Sequence, residues 1–127
     1  AGVAVQCFDR VEHDPSLETV DAALDEARKA QADVVIGLGG GSALDVAKSA
    51  AALADKPGGV ADYFAGRRAI EAPGLPFVGV PTTSGTGAEI TQNAVLTDRH
   101  AREKKSLRSP HMVAALVVLL VTKGNVP

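Results

Sequence analysis

Two continuous apolar runs, Val34-Val35-Ile36-Gly37-Leu38 and Phe77-Val78-Gly79-Val80, are each followed by a stretch rich in glycine or hydroxyl residues. Such runs suit strands buried on both faces of a parallel sheet. Elsewhere the apolar period is helical. Val20, Ala23, Leu24, Ala27 and Ala30 fall on one stripe, with Asp21, Asp25, Glu26, Arg28 and Lys29 outside it. Asp14-Pro15-Ser16 supplies an N-cap and a first-turn proline, so the spacing predicts a helix over 15–31. A second helix is expected over 42–54, where Ala43, Val46, Ala47, Ala50, Ala51, Leu53 and Ala54 allow close packing. Pro57-Gly58-Gly59 ends it, Val60 to Ala65 forms a further helical turn, and Pro73-Gly74 punctuates again. Val3 to Phe8 alternates loosely and reads as a strand with one better-buried face. With the first helix and the strand at 34–38 it would make a right-handed β-α-β unit. Downstream, Asn93 to Asp98 and Lys104 to Arg108 flank a polar connection and predict a hairpin leaving the parallel sheet. Met112 to Val121 predicts another buried strand, at about half the length of a membrane span. The fold class is α/β: a Rossmann-like parallel sheet with flanking helices plus a β-hairpin, one domain over 1–127.

Composition narrows the function more than the fold. The 127 residues carry a formal net charge of −2, which favours neither nucleic acid nor an anionic membrane as a partner and leaves a small-molecule ligand. The single cysteine, Cys7, has no partner for an internal disulfide and reads as packing; no charged-then-apolar leader opens the chain, so a cytoplasmic setting is expected. His13, His100 and His111 lie far apart and offer no metal-binding spacing, so no metal site is expected in these residues.

Chemistry concentrates after the two apolar runs. Gly39-Gly40-Gly41-Ser42 lies between a strand and a helix, where free N–H groups and the positive end of the helix dipole favour an anion such as a pyrophosphate. Ser42 reads as an N-cap with Asp45 as its capping-box partner, and Lys48 as an i,i+3 partner of Asp45 with a structural role. The second stretch, Pro81-Thr82-Thr83-Ser84-Gly85-Thr86-Gly87-Ala88-Glu89, sets four hydroxyls among glycines. Loops after parallel strands share one edge of the sheet, so the two stretches are expected to face one crevice.

The spacing is neither the G-x-G-x-x-G dinucleotide fingerprint nor a P-loop. Gly39-Gly40-Gly41-Ser42-Ala43-Leu44-Asp45-Val46-Ala47-Lys48 instead matches GGGSxxDxAK and, with the Pro81 block about 40 residues on, resembles the iron-containing alcohol dehydrogenase family from roughly Phe8 to Met112. The resemblance implies a partial dinucleotide-binding domain, preceded in that family by a strand and helix and followed by a helical metal-binding domain, both absent here. It implies NAD or NADP as cofactor, contacted by Gly39, Gly40, Gly41, Ser42, Asp45, Thr82, Thr83, Thr86, Thr91 and Lys104, with Lys105 competing for the Lys104 role. Asn93 would lie towards the substrate pocket. It places no catalytic residue and no metal ligand in these residues; a divalent metal, iron or zinc, belongs to the missing domain. The complete enzyme would pass hydride between a small alcohol or aldehyde and the cofactor, and this chain alone would be inactive; a homo-oligomer is compatible with it. Two alternatives remain: a stand-alone nucleotide- or phosphate-binding module, and a metal-independent relative resembling maleylacetate reductase.

Overall fold

The computed structural model describes residues 2–83 and 87–118. Helices α1 (Leu17–Lys29), α2 (Gly41–Leu53) and α3 (Val60–Phe64) accompany strands β1 (Val35–Gly39), β2 (Phe77–Pro81), β3 (Asn93–Asp98), β4 (Glu103–Arg108) and β5 (Leu116–Val117). The parallel sheet has the order β1-β2-β5, while β3 and β4 pair antiparallel as a separate hairpin. β1 and β2 run in register from Val35 opposite Phe77 to Gly39 opposite Pro81. Their C-terminal ends therefore coincide, and the loops that follow start side by side.

Helix α2 is the centre of the packing because small residues let it approach on two sides. Leu44 and Ala51 meet Phe77 and Ala88 on the sheet side. Val46, Ala50 and Leu53 join Leu17, Val20 and Leu24 of α1 with Ala94, Leu96 and Leu107 of the hairpin. Gly37 marks a close approach of helix to sheet: a Cβ there would lie 2.8 Å from Ala47 Cβ and 3.0 Å from Phe77 Cε1.

Several expectations are corrected. Val3 to Phe8 forms no strand, and Val3 is 90% exposed, because a strand exists only where a neighbour takes up its backbone groups and none of the described residues does so. The β-α-β unit is instead β1-α2-β2. Among the described residues the strand at 34–38 is covered on one face only: α2 lies over Gly37, while Ile36 and Leu38 are each 62% exposed. The N-cap of α1 is Ser16, whose Oγ accepts from the Thr19 amide at 3.2 Å, whereas Asp14 sits at φ 53°, outside the helix. Cys7 is exposed rather than packed. Of the apolar run from Met112, only Leu116–Val117 pairs as a strand, and residues 119–121 lie outside those described.

Candidate functional site

The glycine turn is built by the end of β1. Gly39 has φ 145°, a conformation that side chains disfavour, and turns the chain so that Gly40 becomes the N-cap of α2 in extended geometry. Among the described residues no side chain caps this helix, and its first turn carries no acidic residue. The first amides, from Gly41 to Ala43, thus have no intrahelical partner and no carboxylate of their own turn to offset the dipole. The expected capping box does not form. Ser42 already lies inside the helix, one residue past its start, and the Asp45 carboxylate accepts instead from the Val95 amide of β3 at 3.1 Å.

The second loop joins the first at its start. The Thr82 amide donates to Gly39 O at 2.9 Å, extending the β1–β2 pairing by one bond. Thr83 Oγ1 lies 3.4 Å from where a Gly40 Cβ would stand, so the absence of a side chain at Gly40 keeps the mouth of the turn clear beside a hydroxyl. Both threonines are exposed. Thr86 falls outside the described residues. Thr91 and Asn93 are half-buried at the far end of the loop, where Asn93 Nδ2 donates to Ser106 Oγ at 2.9 Å.

Lys48 has a larger part than an ion pair with Asp45. Its side chain is 1% exposed, and Nζ donates to Ala88 O at 2.6 Å, Thr91 O at 2.9 Å, Thr91 Oγ1 at 3.1 Å and Asn93 O at 2.9 Å. The signal in the sequence was a lysine set directly beside the stripe of Leu44, Ala47 and Ala51, where a merely solvated cation would be misplaced. Burial lowers the Lys48 pKa from its ordinary value, opposed by the charges of Asp45 and Glu89. Burial likewise raises that of Asp45, opposed by the Val95 amide and by Lys48.

Lys104 is not brought to the glycine turn by any contact. It pairs across the hairpin with Thr97, four residues along β3 from Asn93 and so about 13 Å away along the strand. Its Nζ lies 2.7 Å from Asp14 Oδ1. Lys105 meets Glu103 at 3.1 Å and stands over the Phe64 ring at 4.7 Å. Among the described residues no group of three or more His, Cys, Asp or Glu side chains is placed to hold a metal ion, and no helix is long and apolar enough to cross a membrane.

The chain that carries this turn and loop has relatives among known proteins. The sequence pattern of the family described as iron-containing alcohol dehydrogenase matches residues 1–120. The chain belongs to this family. It is similar to the sulfoacetaldehyde reductase of Bilophila wadsworthia, 40% identical over 93% of this chain and 30% of that protein. It also resembles long-chain-alcohol dehydrogenase 1 of Geobacillus thermodenitrificans, 50% identical over 76% of this chain and 25% of that protein. Among solved structures, sulfoacetaldehyde reductase from Bifidobacterium kashiwanohense in complex with NAD+ superposes with a TM-score of 0.83 at 34% identity, over 88% of this chain and 30% of that one. NADH-dependent butanol dehydrogenase A of Thermotoga maritima superposes with a TM-score of 0.80 at 37% identity, over 86% and 27%. The chain thus spans between 25% and 30% of the length of these relatives.

Proposed function

We propose that this chain is the cofactor-binding part of a metal-dependent alcohol dehydrogenase, which moves hydride between an alcohol and NAD(P)+. The observation that carries this reading is the uncapped, carboxylate-free start of α2 at Gly40–Gly41, with the Thr82–Thr83 loop hydrogen-bonded beside it. A pyrophosphate fits there: free amides and hydroxyls surround it, Gly39 and Gly40 place no side chain in its path, and no acidic residue of that turn repels it. Thr82, Thr83 and Thr86 would hold the phosphates and ribose; Asp45 and Thr91 would stand towards the nicotinamide end. Asn93 would border the substrate pocket. The Lys104 ammonium would have to leave Asp14 to reach a ribose, which makes it the weakest member of the set.

A divalent metal, when bound, would polarise the alcohol oxygen and stabilise the developing alkoxide. Its ligands would come from outside these 127 residues. The named relatives act on different alcohols and aldehydes. Calorimetric titration with NAD+ and NADP+ tests the reading, with Gly41→Val as control. Binding by the parent and none by the folded variant is expected. Equal affinity in both would overturn the assignment of the turn and favour a module that binds its ligand elsewhere.

A further inference from the structure

We propose that Lys48 is a positioning residue for the cofactor: its ammonium holds the second half of the loop after β2, residues 88–93, on the second turn of α2, so that Thr91 and Asn93 stand preformed on the helix that opens at the glycine turn. The inference rests on the cofactor reading above and adds to it a residue that need not touch the ligand.

The loop runs from Thr82 to Gln92 and has no regular strand or helix in its described residues. A segment of this length pays a conformational cost for every ordered residue, so a fixed geometry needs anchors. One anchor is at its start, where the Thr82 amide meets Gly39 O. The others are at its end. Lys48 Nζ gathers acceptors from Ala88, Thr91 and Asn93, and Asp45, on the same face one turn earlier, takes the Val95 amide. The start of the loop is thereby fastened to the end of β1 and its second half to α2, the two elements that the glycine turn joins.

Charge and burial explain why a lysine stands there. Three carbonyls converge on one point, and a cation with three donors answers them as no apolar side chain could. An apolar replacement would leave those carbonyls unpaired inside the protein. Nearby carboxylates, Asp45 on α2 and Glu89 on the loop, keep the charge compensated.

The test uses the full-length protein and two readouts. Lys48→Met is expected to weaken NAD+ at least tenfold by calorimetry and to speed amide exchange in 88–95 while α1 and β1 stay protected. Lys48→Arg, which keeps the charge, is expected to recover most of both. A folded Lys48→Met protein that binds like the parent would overturn the proposal, as would exchange that rises uniformly. Should Lys48→Met fail to fold, exchange in the cofactor-free parent decides: protection at Thr91 and Val95 comparable to α2 supports the clamp, and coil-like exchange there overturns it. A parent that shows this protection yet binds no NAD+ would instead overturn the cofactor reading.

Discussion

At the scale of single residues, the site depends on positions where a side chain is missing. Gly37 brings α2 against the sheet, and Gly37→Ala would press a methyl to 2.8 Å from Ala47 Cβ, within van der Waals contact, in a place where both neighbours are fixed. Overpacking of this kind costs about 1–3 kcal/mol, and urea unfolding should show that loss. Gly41→Val acts differently, by filling space at the start of α2 where the pyrophosphate is proposed to sit; its expected effect is on affinity, with the circular dichroism spectrum kept. Thr82→Val with Thr83→Val keeps shape but removes two hydroxyls, so cofactor affinity should fall by about 1–3 kcal/mol in calorimetry. Normal binding by that double variant would return the loop to a purely structural role. Lys48 shows what single-residue reading could not reach: its spacing from Asp45 suggested a pair on one helix face, but its actual acceptors lie 40 to 45 residues away.

At the scale of elements, helices and central strands were legible because their apolar periods are local. Their ends were less so. Asp14 and Ser16 are both good caps, and the choice fell to Ser16 through contacts with Thr19 and Glu12. Val3 to Phe8 has strand composition, yet a strand also requires a partner, which composition does not report. The Glu12 carboxylate accepts from Thr19 Oγ1 at 2.8 Å and from Ser16, and Arg99 of the hairpin turn approaches it at 3.3 Å. Burial raises its pKa, but these hydroxyl bonds, its own backbone amide and the Arg99 charge together hold it below the ordinary 4.5. A carboxylate lowered on folding stabilises above its unfolded pKa, and that contribution fades as pH falls through the folded value. Stability should therefore decline in acid below about 4.5 through this group. Glu12→Gln should flatten that part of a thermal-melting profile against pH; an unchanged acid limb would exclude it as the source.

At the scale of the whole molecule, half of the design lies on one side. α2 covers one face of the parallel sheet, with α1 and the hairpin packed on the far side of α2, and on the other face Ile36, Leu38 and Leu116 remain exposed among the described residues. The proposed cofactor site lies within this part, and the hydride chemistry proposed for the enzyme needs more. An open catalytic metal site takes about three protein ligands on a rigid frame and one free position. His13 and His100 are exposed and each stands near a single carboxylate, at 3.8 and 3.9 Å, while no described cluster brings three ligands together. Without a Lewis acid the developing alkoxide loses several kcal/mol of stabilisation, so a bound cofactor would meet no activated alcohol. The expected outcome is that the isolated 127-residue chain gives no NADH signal at 340 nm from short alcohols or diols, even with excess ferrous iron or zinc. Metal-dependent turnover by the pure chain would contradict this, and His100, His111 and Glu89 would then be the first side chains to replace.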